Sequence, residues 1–343
     1  MKINIANLKP LFATVPKIDT RLNWSDHLGT MKVRLAIGRG SYTVKPGLYA
    51  IGKPTSTSDV FVTANYKLSF DVVRENLDGL NGWLLVLDTH GINVWCAAGK
   101  GLFGTKELVH RIELSGLKDI VSHRKLIVPQ LGAPGVSARE VKNLSGFSVL
   151  FGPARATDIK AFIANGYRST PEMRTVRFTF TDRLKLIPVE IVLSAKYMLG
   201  MIALLLVLSG ITKEGYSLEN ILANWKNIGL LALTAYMAGT VITPALLPYI
   251  PFRNFSAKGA ATLFVIFGVL FFFKPLVGNT IYSISWLMMG AALSSFTAMN
   301  FTGTSNYTSL SGVLKEMKYA IPIQIGTFVA GVALFVIQNF IRI

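Results

Sequence analysis

Of the 343 residues, one is cysteine and four are histidine. A lone Cys96 excludes an internal disulfide and any cysteine-rich zinc or iron–sulfur site built from this chain alone, so low-potential electrons must come from another protein. Acidic residues are scarce too: 18 Asp and Glu stand against 35 Lys and Arg, a formal net charge of +17. The basic residues are scattered rather than clustered, which argues against nucleic acid and for anionic lipid headgroups and an acidic partner. Residues 1–20 lack an apolar run with a small-residue cleavage site, so no secretory signal is expected and the amino-terminal half is expected in the cytoplasm.

What is abundant is apolar side chain, 51% of the chain, and it is unevenly spread. Residues 1–187 carry 26 Lys and Arg with 14 Asp and Glu; residues 188–343 carry 9 and 4. This predicts a cytoplasmic domain over 1–166, a basic juxtamembrane linker over 167–187 and a transmembrane domain over 188–343. Arg168, Arg174, Arg177, Arg183 and Lys185 make the linker basic. Five stretches approach the ~20 residues that a bilayer requires, near Val189–Ser209, Ile228–Pro248, Gly259–Phe273, Ile281–Ala298 and Tyr319–Phe340. Arg253 with Lys258, and Lys315 with Lys318, mark the inner connections. Lys213 and Lys226, balanced by Glu214 and Glu219, and Lys274 mark the outer ones. The positive-inside rule then predicts a multi-pass protein of the inner membrane with an external carboxyl terminus. Lys196 reads as snorkelling to the interface, and Met198, Met201, Met237, Met288 and Met289 as packing.

In the first half, residues 1–50 read as small strands and loops that cover the remainder of the domain. From Asp59 onward, apolar runs alternate with helical spacing: Val60–Ala64 then Tyr66–Glu75, Gly82–Asp88 then Thr105–Leu114, Lys125–Pro129 then Ser137–Asn143, Phe147–Phe151 then Thr157–Asn165. Repeated strand-then-helix units predict a parallel sheet with helices on its faces and ligand-binding loops at the strand ends. The loop Gly99–Thr105 lacks the Gly-Lys-Ser/Thr order of a phosphate loop, so nucleotide binding is excluded.

Asn93 to Lys100, NVWCAAGK, reads as a very short helix: Asn93 is a good N-cap, Ala97 and Ala98 favour helix, and Gly99 is a stop. Cys96 then lies in the first turn, where free N–H groups, the helix dipole and Lys100 favour a negative sulfur. By residue type alone a lone cysteine is more often simply a small buried hydrophobe. Asp88-Thr89-His90 begins an Asp-x-His-x-x-Gly pattern of cobalt-binding histidines, but Asn93 stands where that pattern has glycine.

The octapeptide resembles the cap-helix motif of the HgcA family, membrane-bound corrinoid proteins of microbial mercury methylation. The resemblance implies an α/β Rossmann-like corrinoid-binding domain followed by an all-α transmembrane domain of five helices. It implies that Cys96 is the catalytic residue and the lower axial ligand to cobalt in a cobalamin-type corrinoid. Asn93, Val94, Trp95, Cys96, Ala97, Ala98, Gly99 and Lys100 then form the cofactor-binding cap, with Asn93 orienting the helix and Trp95 packing it onto the domain. Residues 62–67 are similar to a stretch of the same family and to loops of corrinoid iron–sulfur proteins. That makes Thr63 and Asn65 candidate cofactor contacts, against the alternative of an ordinary strand-to-helix cap. The turn carrying Gln130, Gly132 and Ala133 is similar to another such loop, against the alternative of a plain Pro/Gly turn.

The activity implied is transfer of a methyl group from a methyl-cobalt(III) corrinoid to Hg(II), giving methylmercury. The implied partners are an HgcB-like ferredoxin with two 4Fe–4S clusters, Hg(II), a methyl donor protein or methylated folate, and the lipid bilayer, with no nucleic acid and no iron–sulfur cluster in this chain. Since no residue pattern recognises mercury itself, a methyl carrier for another acceptor and a transporter with a cytoplasmic regulatory domain stay open.

Overall fold

The computed structural model describes residues 15–273, 280–304 and 310–341. Residues 1–14, part of the stretch read for a secretory signal, and Lys274, read as an outer connection, lie outside the described residues. The chain divides into two compact units, the main boundary falling between Arg177 and Phe178 and Arg34–Ala36 grouping with the second.

The first unit is a mixed α/β domain. Its elements in chain order are β1 (Lys17–Ile18), α1 (Trp24–Arg34), β2 (Gly47–Ile51), β3 (Val60–Ala64), α2 (Lys67–Asn76), β4 (Gly82–Leu87), α3 (Val94–Gly99), α4 (Thr105–Leu114), α5 (Leu117–Ile120), β5 (Lys125–Val128), α6 (Ala138–Ser145), β6 (Ser148–Phe151) and α7 (Ile159–Ala164). Among the described residues the sheet has six strands in the order β1-β2-β4-β3-β5-β6. β4, β3, β5 and β6 run parallel. β2 is one of the small strands expected in residues 1–50, but rather than covering the domain it enters the sheet antiparallel to β4, with Tyr49 opposite Leu84. Residues 24–34 are likewise a helix rather than small strands and loops.

All six residues of β4 are buried, which explains its unbroken apolar run. Successive side chains serve opposite faces: Trp83, Leu85 and Leu87 join a core with α4, α5 and α6, whereas Leu84 and Val86 join one with α2 and α7. Both faces are therefore covered. Because β4 lies on one side of β3 and β5 on the other, the strand order reverses at β3. Open α/β sheets place their ligand crevice at the carboxyl ends of the strands around such a reversal.

A charge network joins α1 to α2. Asp26 accepts from Lys67 and Arg74, each at 2.6 Å, and Asp71 accepts from the same two cations at 2.6 and 2.7 Å. Arg74 also donates to the carbonyls of Asp19 and Arg21. Burial by itself raises the Asp26 pKa, yet hydrogen bonds from Lys67, the Asn23 backbone and Arg74 outweigh it and hold the carboxyl at about 2. Burial opposes the Lys67 charge as well, but Asp26 and Asp71 keep its pKa above the ordinary value.

The second unit is helical. α8 (Phe180–Leu184) opens with a capping box between Thr179 and Asp182, and α9 (Ile187–Ser209) follows. A two-stranded hairpin, β7 (Ile211–Thr212) with β8 (Gly215–Tyr216), leads to α10 (Leu218–Met237). That helix continues through a π turn, Ala238–Ile242, into α11 (Thr243–Ala245), which contains Pro244. α12 (Phe255–Phe273), α13 (Thr280–Asn300) and α14 (Leu310–Ile341) complete the unit. Among the described residues, four helices are long and apolar enough to cross a membrane: Ile187–Ser209, Leu218–Ala245, Thr280–Asn300 and Ser311–Phe340. Phe255–Leu270 is apolar but shorter, so four helices rather than the expected five reach spanning length among the described residues, and the second begins at Leu218, ten residues before the predicted stretch. Close approach of α12 to α13 requires glycine at 259, where a Cβ would stand 2.4 Å from the Ser294 carbonyl oxygen. Ser294 in turn donates to the Gly259 carbonyl.

The Asp26 network carries a pH dependence. With a folded pKa of about 2 against 3.8, its contribution of about 2 kcal/mol is complete above pH 4 and is lost as the pH falls through 2. Asp26→Asn leaves Arg74 and Lys67 short of a partner, and is expected to lower stability at pH 7 by about 3 kcal/mol. Thermal unfolding of the detergent-solubilised protein, followed through the α/β unit, measures both effects.

Candidate functional site

The site forms where the carboxyl ends of β3, β4, β5 and β6 release the chain. At the end of β4, Asp88 to Gly91 make a tight turn, with His90 at φ 52° and Gly91 at φ 73°. Asn65, buried just beyond β3, holds this turn: its Oδ1 accepts from the Thr89 backbone (3.0 Å), the Thr89 hydroxyl (2.9 Å) and the Gly91 backbone (3.1 Å), and its Nδ2 donates to Asp88 Oδ1 (3.1 Å). From the other side, Glu107 on α4 accepts from the Asp88 backbone at 2.8 Å while pairing with Arg111. The turn is thus fixed from two elements before the chain reaches the octapeptide.

The octapeptide is a helix, α3, capped as expected: Asn93 Oδ1 accepts from the Cys96 backbone at 2.9 Å. Two details differ from the expectation. The stop residue is Gly101, at φ 75°, rather than Gly99, which is the last helical residue. Gly101 N–H donates to Ala98 and Leu102 N–H to Ala97, the paired hydrogen bonds of a Schellman ending. Secondly, Trp95 does not pack the helix onto the domain. Val94, Ala97 and Ala98 are buried and do so, while Trp95 is 43% exposed. Small residues allow this close seat: at Gly135 a Cβ would lie 2.2 Å from the Phe103 carbonyl oxygen and 3.1 Å from that of Ala98. Cys96, half-buried and free of any disulfide, is next along the helix, with Gly99 and Lys100 exposed at its end.

Beside α3 lies an open groove of about 380 Å³. Its floor is Thr63, at the end of β3, with Ile127 and Pro129. Leu68, Ser69 and Val72 of α2 form one wall, Gly152, Pro153 and Ala154 after β6 another, and Asn93, Val94 and Trp95 the third. Thr63 is fully buried, and its hydroxyl has no hydrogen-bond partner among the described residues. An unsatisfied buried hydroxyl costs about 1–3 kcal/mol, so a ligand with a polar edge has something to gain there.

Of the sequence-predicted residues, the structure therefore brings Thr63, Asn93, Val94 and Trp95 to one groove. Asn65 is a positioning residue, its amide committed to the Asp88–Gly91 turn. Gln130 and Gly132 fall in a short 3₁₀ turn after β5, with Ala133 as its cap. That turn packs on α3; Gly132 is buried where a Cβ would strike the Phe103 ring at 2.5 Å, and Gln130 and Ala133 are half-buried. None of these three, nor Cys96, lines the groove itself. His90, the rival ligand, is exposed. Sequence reasoning missed the α2 wall, whose signal was Val72, an apolar residue 48% exposed on an otherwise well-packed helix.

Among the described residues no three His, Cys, Asp or Glu side chains cluster to hold a bare metal ion. A corrin, which brings four nitrogens of its own to cobalt, asks only a single axial ligand of the protein. A half-buried sulfur next to an apolar groove with an orphaned hydroxyl fits that requirement.

Residues 29–163 match the family model described as CO dehydrogenase/acetyl-CoA synthase delta subunit. The matched region covers the sheet from β2 onward, α3 and the groove. Gamma subunits of the acetyl-CoA decarbonylase/synthase complex are similar over a stretch of comparable length. The Archaeoglobus fulgidus protein is 34% identical over 126 residues, 36% of this chain and 26% of that one. The Methanopyrus kandleri protein is 33% identical over 122 residues (35% and 26%), and the Methanocaldococcus jannaschii protein 32% over 131 (38% and 26%). This chain thus spans about a quarter of the length of these relatives.

Two substitutions probe the geometry. Thr63→Val replaces the orphaned hydroxyl by an isosteric methyl and is expected to raise the stability of the ligand-free protein by about 1 kcal/mol. Asn93→Ala is expected to cost about 1 kcal/mol and to speed amide exchange at Cys96, as read by hydrogen–deuterium exchange.

Proposed function

We propose that this chain is a membrane-anchored corrinoid protein in which Cys96 would ligate the cobalt, and that it transfers a methyl group to Hg(II). The observation that carries this reading is the apolar groove at the strand ends, with its unpartnered Thr63 hydroxyl, bordered by the one helix that contains the only cysteine. The likeness of residues 29–163 to subunits of acetyl-CoA-forming complexes supports a corrinoid iron–sulfur protein-like unit. The octapeptide's resemblance to the HgcA cap helix supports mercury as acceptor.

When bound, a corrinoid supplies a cobalt centre that takes up a methyl group in its reduced state and releases it to an electrophile. The residues of this chain do the rest. Asn93 closes the first turn of α3 and so fixes the backbone that carries Cys96; Asn65 and Glu107 fix the turn from which α3 starts. Thr63, Val72 and Trp95 line the groove and would hold the group there, Thr63 with a hydroxyl and Val72 and Trp95 with apolar surface. A thiolate is a soft, strongly donating ligand, which eases loss of the methyl group toward a soft electrophile such as Hg(II). Residues 1–166 form the cytoplasmic domain in this reading, residues 167–187 the basic linker and residues 188–343 the anchor in the inner membrane. Reduction is left to an HgcB-like ferredoxin, because one cysteine cannot hold a cluster.

The relatives' names favour a second reading, a methyl carrier serving an acetyl-CoA-forming complex. Cys96→Ala separates the readings when each protein is assayed with both acceptors. Loss of methylmercury formation by at least about a hundredfold, together with loss of the cobalt–sulfur signal in X-ray absorption, is expected. Wild-type methylation by the variant defeats the role of Cys96; a wild-type protein that methylates only the acetyl-CoA-forming partner defeats mercury.

A further inference from the structure

The helical unit contains a second site, unrelated to the groove beside α3. The connection before α12 and the first turns of α14 come together around a cavity of about 850 Å³. Arg253, Lys258 and Lys315 line it against one carboxylate, Glu316. That carboxylate is already committed, accepting from the Ser256 backbone at the start of α12 at 2.6 Å. Lys258 is committed in part: it is buried and donates to the carbonyls of Leu247 (2.8 Å) and Ile250 (2.5 Å), closing the end of the α11 segment. Arg253 and Lys315, both exposed, leave the rim with an excess of positive charge.

Gln324, nine residues beyond Lys315 on α14 and therefore roughly 14 Å further along its axis, also lines the cavity. It is 7% exposed. Its amide nitrogen donates to Ser295 at 2.8 Å, but its Oε1 has no partner among the described residues. A buried carbonyl oxygen without a donor is costly, and nothing in the bundle explains it. The remaining wall is apolar and open: Tyr319 and Ile323 are 61% and 67% exposed on the surface of a helix long and apolar enough to cross a membrane.

A cationic rim, a buried acceptor below it and an apolar wall that continues onto a spanning helix are together complementary to one kind of molecule. We infer that this cavity takes the headgroup of an anionic phospholipid, its phosphodiester held by Arg253 and Lys315 and a headgroup hydroxyl donating to Gln324, with the acyl chains along Tyr319 and Ile323. The basic connections here then act as a lipid clamp between α12 and α14, beyond their part in setting orientation. The shared chemistry is a phosphate ester with hydroxyls; the apolar wall favours a lipid over a soluble ester as its source.

The test titrates the detergent-solubilised full chain with phosphatidylglycerol, phosphatidylcholine and soluble glycerol 3-phosphate, reading the unfolding midpoint of the helical unit and lipid adducts by native mass spectrometry. Phosphatidylglycerol is expected to raise the midpoint by about 3 °C or more, with phosphatidylcholine and glycerol 3-phosphate giving no rise. Arg253→Gln and Lys315→Gln, both at exposed positions, are each expected to weaken phosphatidylglycerol binding about fivefold. Gln324→Met is expected to remove most of the gain while leaving the midpoint in lipid-free detergent unchanged or higher. Equal responses to phosphatidylglycerol and phosphatidylcholine, or an undiminished response in the Arg253→Gln, Lys315→Gln double variant, would overturn the assignment. An equal response to glycerol 3-phosphate would overturn the lipid as the source.

Discussion

The amide of Asn65 carries more of this structure than any single apolar contact. One oxygen accepts three hydrogen bonds from the turn between β4 and α3, and the nitrogen donates a fourth to Asp88. Asn65 is 5% exposed, so these bonds form away from competing water, where an unmet donor or acceptor is costly. The turn places His90 and Gly91 at positive φ, a conformation most residues avoid. The hydrogen bonds compensate for it, and because they do, α3 starts at a defined height above the sheet. Everything proposed for Cys96 depends on that height.

The two faces of the sheet divide the labour. On one, α4, α5 and α6 bury the chain against Leu85, Leu108 and Val141, and α3 is seated there through Val94, Ala97 and Ala98. On the other, α2 and α7 leave the ends of β3, β5 and β6 partly uncovered, and the groove is that gap. The Asp26–Lys67–Asp71–Arg74 network locks α1 onto α2, the helix that forms a groove wall. A buried network of this kind is weak evidence for stability but a good means of fixing register, since each carboxylate bridges the same two cations. The groove wall is thus held by charge and the cap helix by hydrogen bonds, while its floor keeps one hydroxyl unmet.

Much of the fold was legible in the chain. The alternating strand and helix segments, the cap at Asn93 and the apolar stretches of the second half follow from local periodicity and capping, which depend on neighbours a few residues apart. What was not legible depends on distant partners. The segment 47–51 reads as part of a covering layer of small strands and loops because it is short, and only pairing with β4 makes it a strand of the central sheet. Trp95 reads as an anchor because tryptophan is large and apolar, yet the three smaller residues beside it fit the space that Gly135 opens. Gly99 and Gly101 are equally good stops on paper. Burial of Phe103, whose N–H joins that of Leu102 on the Ala97 carbonyl, selects the second.

By itself the sequence determined most of the strand and helix segments, the long apolar helices of the second half, and that a single sulfur would sit in the first turn of a short capped helix, because those outcomes are set by local spacing and side-chain chemistry. Only the tertiary structure decided that Thr63 would lack a partner while Asn65, two residues on, has all it needs. Thr63 lies within β3 and faces the groove, whereas Asn65 lies past the end of the strand, where its amide meets a turn 24 residues away in sequence. Which of them is left for a ligand is a property of the assembled sheet.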